Sequence, residues 1–164
     1  MALTTYTTFA EVRAVLGVSD DEIVDETLAL PMYEDMLRME MDSVNVGVYS
    51  KFVEVGAVEP ASLTDNQTTF LRYFRLFCAY AVAKSLTTAL PMFGPKSIGD
   101  GKANMARFAD SPYKVTAARI DAEFGRLSNL LSAAYNTLAS TSTDAFSRPW
   151  LTSTGLAIDP VTGV

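Results

Sequence analysis

Apolar positions recur with a helical period along most of the chain, and the densest such pattern runs from Thr64 to Pro91, TDNQTTFLRYFRLFCAYAVAKSLTTALP. Phe70, Leu71, Phe74, Phe77, Cys78, Ala81 and Val82 follow one another at intervals that keep side chains on one helical face. Tyr73, Leu76 and Tyr80 broaden that face, so the spacing predicts a helix covered on most sides. Thr64 and Gln67 have the separation of a capping box, and Pro91 marks the stop because it lacks an amide donor. Arg72, Arg75 and Lys84 interrupt the run. Charges are costly at bilayer depth, so the pattern predicts a core helix and no membrane span.

Other helices are predicted on either side of it. Thr8 and Glu11 form a capping box ahead of FAEVRAVL, with Phe9, Val12, Val15 and Leu16 on one face and Gly17 as the stop. Ser19 and Glu22 repeat the capping pattern over a single turn. A longer helix is expected from about Glu26 to Val46, with Leu30, Tyr33, Leu37, Met41 and Val44 along one side. Pro31 either kinks it or marks its true start. Its acidic face is expected near Arg72 and Arg75. Lys51 to Leu63 reads as a connection broken by Gly56 and Pro60.

Beyond the central helix, Asp100-Gly101 is a two-residue turn signal between short arms at Lys96–Gly99 and Lys102–Phe108. A short helix over Ala103–Phe108 is the alternative. Ser111 and Pro112 suit the cap and first turn of a last long helix. Its stripe of Tyr113, Ala117, Ile120, Phe124, Leu127, Leu131, Ala134 and Leu138 is expected to lie on the central helix. From Ser140 onward the periodicity ends, yet the segment carries Phe146, Trp150, Leu151, Leu156 and Ile158. Such residues serve either as contact points for a partner or as a strap on the chain's own helices. The fold class is therefore all-α. A small bundle over 1–139 is built on a central buried helix, with a hairpin or loop at about 96–108 and an extended tail over 140–164.

Charge adds a direction to this layout. Residues 1–60 hold 12 of the 19 acidic and 3 of the 13 basic residues, a balance of −9, and the remainder is +3. The net charge of −6 argues against a broad nucleic-acid surface. Asymmetry of this kind either forms an acidic patch or lets one face of a subunit meet a different face of its neighbour. Cys78 is the one cysteine, so no internal disulfide can form, and its place on the apolar face suits a small hydrophobe. No basic segment followed by an apolar run opens the chain, which favours a protein made and used inside a cell.

The inventory of reactive groups is thin. There is no histidine, which removes the commonest general base and metal ligand and any Ser-His-Asp triad. Gly94 and Gly99 begin a P-loop spacing, but Asp100 stands where lysine is required. Gly99 and Gly101 fail the dinucleotide fingerprint at Asn104. Asp20/Asp21 and Glu34/Asp35 read as capping and solvation. No catalytic, cofactor-binding or metal residue is assigned, and an enzyme is not expected.

The stretches TFAEVRAVLGVSDDEI and DETLALPMYEDMLRMEMDSV, the aromatic central helix, and PKSIGDGKANMARF before a last helix resemble the head-to-tail adaptor, or connector, proteins of tailed bacteriophages. The resemblance covers most of the chain and lies in layout and composition. It implies a structural virion protein at the neck, made in the host cytoplasm and needing no cofactor. Such a protein forms a ring, usually twelve-fold, under the portal protein, extends the DNA channel and docks the tail or nozzle protein. DNA would pass through without specific recognition, helped by any acidic wall facing it. In that setting Lys96, Ile98, Asp100, Lys102, Met105 and Arg107 would contact a neighbour or the tail. Phe146, Arg148, Trp150, Leu151, Leu156 and Ile158 would bind the portal. A small intracellular scaffold or regulator, binding one protein through the C-terminal segment, is the other class that fits.

Overall fold

The computed structural model describes residues 3–87, 97–99, 104–106 and 113–143. These form a mostly helical bundle: α1 (Phe9–Leu16), α2 (Asp25–Leu28), α3 (Pro31–Val44), α4 (Val48–Gly56), α5 (Asp65–Thr87) and α6 (Tyr113–Thr143). Two three-residue strands, β1 (Ser97–Gly99) and β2 (Asn104–Ala106), pair antiparallel between α5 and α6.

Local chemistry explains most of the boundaries. The Thr8 side chain accepts from the Glu11 amide while the Glu11 carboxylate accepts from the Thr8 amide, so α1 starts on a complete capping box. It stops at Gly17, whose left-handed backbone (φ 73°) is easiest for a residue without a Cβ. The amides of Gly17 and Val18 both donate to the Arg13 carbonyl. Thr64 and Gln67 cap α5 in the same reciprocal way. Ser19 and Glu22 make one turn, with the Ser19 amide donating to Glu22 Oε2 at 2.9 Å.

The helix expected over Glu26 to Val46 is two helices. Leu30 is extended (ψ 133°) and Pro31 opens α3 as its first residue, because the missing proline donor costs nothing there. Leu30 is consequently half-exposed instead of joining Tyr33, Leu37 and Met41 in the core. The expected connection over Lys51 to Leu63 is also corrected. Most of it is α4 followed by a 3₁₀ turn at Pro60–Ser62. Valines at positions 48, 53 and 55 and Gly56 weaken helix propensity, but Val48 and Val55 are buried and Phe52 packs against the core. Tertiary packing outweighs propensity in this segment.

The last helix extends to Thr143, past the boundary expected at Ser140. Pro91, Ser111 and Pro112 lie outside the described residues. The strand register sets Ser97 opposite Ala106, Ile98 opposite Met105 and Gly99 opposite Asn104. Residues 100–103 therefore separate the strands, a longer connection than a two-residue turn at Asp100-Gly101.

Helix α5 lies between α6, its largest partner, and the N-terminal helices α1, α3 and α4. Ile120, Leu127 and Leu131 of α6 are buried against it, and Phe124 stacks on Phe77 at 5.1 Å between ring centroids. On the other side Phe74 lies nearly parallel to Phe52 of α4, with 4.1 Å between centroids, and Tyr6 tilts against both rings. Gly47, at the entry to α4, permits the close approach of α6: a Cβ added there would collide with the Tyr135 side chain.

Phe74 joins α4, α5 and the N-terminal segment, so its loss removes packing from three directions. Phe74→Ala is expected to destabilise the fold by about 3–5 kcal/mol, read as a lowered urea midpoint with little change in slope.

Candidate functional site

Polar groups cluster first where the N-terminal segment crosses α5. The Glu11 carboxylate accepts from the Thr8 amide and the Thr7 hydroxyl, each at 3.0 Å, and Arg75 Nε lies 2.7 Å from its other oxygen. Arg75 thus pairs with α1, not with the acidic face of α3, and Arg72 lies beside the Tyr73 ring. An open groove of about 310 Å³ runs alongside, walled by Tyr6, Phe52, Leu71 and Phe74 and edged by threonines and Arg75. A second, of about 320 Å³, opens where α4, the start of α5 and Leu138 of α6 meet. Its charged residues, Lys51 and Glu54, are paired with one another at 2.7 Å. Ion pairs of this kind fix how helices sit and contribute at most about 1 kcal/mol each.

A clasp joins the N-terminal segment to α3 and α4. The Tyr6 hydroxyl donates to Glu34 at 3.4 Å, Glu34 lies 3.9 Å from Arg38, and the Arg38 guanidinium covers the Tyr49 ring at 3.6 Å. Burial pushes the Tyr6 phenol above its ordinary value despite the nearby Arg38. Among the described residues no group of three His, Cys, Asp or Glu side chains is arranged to hold a metal ion. None of the described helices is long and apolar enough to cross a membrane.

Two outward helix faces carry what the core does not use. On α3, Met32 and Met39 are 61% and 73% exposed, and Asp35 and Asp42 flank them. On α6, Val115 is 79% exposed above the exposed Ala122, and Arg119 and Arg126 lie beside them. Arg126 pairs with Glu123 of its own helix at 3.0 Å. Asp35, Asp42 and Arg119 make no ion pair among the described residues.

Sequence reasoning singled out the acidic face of α3 but not the exposed apolar lines, although Met32 and Met39 stand opposite the core-facing stripe at a seven-residue spacing. Of the positions that were singled out, Ile98 and Met105 are brought together as paired residues of β1 and β2. Lys96, Asp100, Lys102 and Arg107 lie outside the described residues, as do Phe146, Arg148, Trp150, Leu151, Leu156 and Ile158.

Two expected outcomes follow from the titratable groups. Burial opposes the charged form of Glu11, but the Thr8 amide, Arg75 and the threonine hydroxyls outweigh it and hold the carboxyl below its ordinary 4.5. Its stabilising contribution is complete above that value and is lost as pH falls through the folded one. Glu11→Gln is therefore less stable than the parent at neutral pH, and the gap closes on acidification in urea titrations. Cys78 is fully buried and its thiol is pushed up, away from the reactive thiolate. A thiol reagent is expected to label it only at the rate of unfolding, with denaturant restoring full reaction.

No family model, curated protein or solved structure matches this chain, so its relationships rest on the residues and geometry set out above.

Proposed function

We propose that the chain is a structural virion subunit, a head-to-tail adaptor of a tailed bacteriophage. It would assemble as a ring, twelve-fold by resemblance, between the portal protein and the tail or nozzle protein. The observation that supports this most is the placement of charge in the bundle. The acidic N-terminal part, at −9 over residues 1–60, folds as α1–α4, while on α6 Lys114, Arg119 and Arg126 outnumber Asp121 and Glu123. A subunit with unlike faces associates head to tail, and such contacts close into rings when the rotation allows.

In this role the protein's work is mechanical. The bundle over 1–139 is the ring's building block, and the ring continues the DNA channel without reading base sequence. The segment around 96–108, including the β1–β2 pair, meets a neighbour or the tail. The residues from Phe146 to Ile158 anchor on the portal, with Phe146, Trp150 and Leu151 as the main anchors, because a few large side chains supply most of the energy of a protein interface.

Antibody labelling of purified particles tests the assignment directly. Label confined to one capsid vertex, at the neck, is the expected result. Particles without label, with the chain free in the cell, would overturn the adaptor and favour an intracellular regulator. Truncation after Thr143 is expected to leave the melting temperature of the bundle within a few degrees while abolishing attachment to the portal. A truncated chain that unfolds would instead make the tail a strap of the bundle.

A further inference from the structure

Met32 and Met39 are seven residues apart on α3, as are Val115 and Ala122 on α6. Seven residues make almost two helical turns, so each pair stands on one line about 10.5 Å long. Asp35 and Asp42 follow the methionines at three-residue offsets, and Arg119 and Arg126 follow Val115 and Ala122 at four-residue offsets. At about 100° per residue these offsets put the aspartates to one side of their apolar line and the arginines to the opposite side of theirs. Two helices that face each other in parallel bring such opposite sides together. The repeat lengths of the apolar lines and of the charges then agree.

We infer that the outward face of α3 docks, in parallel, on the outward face of α6 of a second copy of this chain. Met32 would seat at Val115, Met39 at Ala122, and Asp35 and Asp42 beside Arg119 and Arg126. Large methionines against a valine and a small alanine allow close approach of the two helices. The charges favour a second copy over an unrelated occupant, because both halves of the match are carried by the same sequence at the same spacing. Arg126 already pairs with Glu123, but Arg126 is exposed and Glu123 half-exposed, and such a surface pair exchanges partners at little cost. The contact joins unlike faces, so repeating it gives a head-to-tail assembly, and the inference rests on the ring assignment for that partner.

The test uses full-length chains. One carries Met32→Cys or Met39→Cys and the other Val115→Cys, Ala122→Cys or Asn129→Cys, mixed and mildly oxidised. Buried Cys78 stays out of the reaction. Covalent dimers are expected from the Met32→Cys/Val115→Cys and Met39→Cys/Ala122→Cys mixtures and not from either chain alone. Asp35→Lys/Asp42→Lys should lower the yield about tenfold, as should Arg119→Glu/Arg126→Glu, because like charges would then meet. Mixing the two reversed chains should restore it. All these positions except Asn129 are on the proposed contact and all are exposed, so a melting curve confirms that each variant folds.

Ring-sized assemblies without these cross-links, and indifferent to charge reversal, would overturn the α3–α6 contact and leave the ring standing. Cross-links from Met32→Cys with Asn129→Cys instead of Val115→Cys would overturn the parallel register. A chain that stays monomeric and uncross-linked at millimolar concentration would overturn both the contact and the ring.

Discussion

Every position of α5 from Phe77 to Ala79 and from Ala81 to Ala83 is buried, and a helix enclosed on all sides needs more than one neighbour to cover it. α6 supplies one wall with Ile120, Phe124, Leu127 and Leu131. The N-terminal helices supply the rest, with Phe52, Leu28, Leu37 and Met41 reaching the same core. A fully buried Phe contributes about 2–3 kcal/mol, more than any ion pair on this surface. The order of the bundle is thus decided by covering α5, and the polar contacts adjust how the cover sits.

Those polar contacts are placed where elements join. Arg75 to Glu11 ties α5 to α1, and Lys84 ties α5 to α6 through Asp121 while standing over the Phe124 ring. Arg13 ties α1 to the start of α2 through Asp25 and the Ile23 carbonyl. No described buried side-chain nitrogen or oxygen lacks a partner, as a stable interior requires. Once the core and these ties are satisfied, the outward faces of α3 and α6 remain, with exposed apolar side chains and unlike charges.

Much of the fold was legible in the sequence, and the reasons differ by element. Capping boxes at Thr8 and Thr64 gave reliable starts because their side chains bond to backbone groups three residues away. The stripe from Ala117 to Leu138 was long enough for its period to identify both a helix and its buried face. α4 was missed because its valines and Gly56, with Pro60 just beyond, speak locally for a loop, and packing against α3 and α5 makes it a helix. Arg75 was assigned to α3 when its partner is Glu11, since composition shows which charges exist but not which approach.

By itself the sequence determined the helices with strong periods and caps, the central place of α5, the thin inventory of reactive groups and the uneven charge. These depend on spacing along one chain, which a periodic pattern records directly. The tertiary structure decided the break at Leu30, the existence of α4, the partner of Arg75, and which apolar residues remain outside. Each of those depends on what a side chain meets across space after the core has closed. Met32 and Met39 are as hydrophobic as their buried neighbour Met41; spacing puts them on the opposite face of α3, and the packing of α3 against the bundle leaves that face outside.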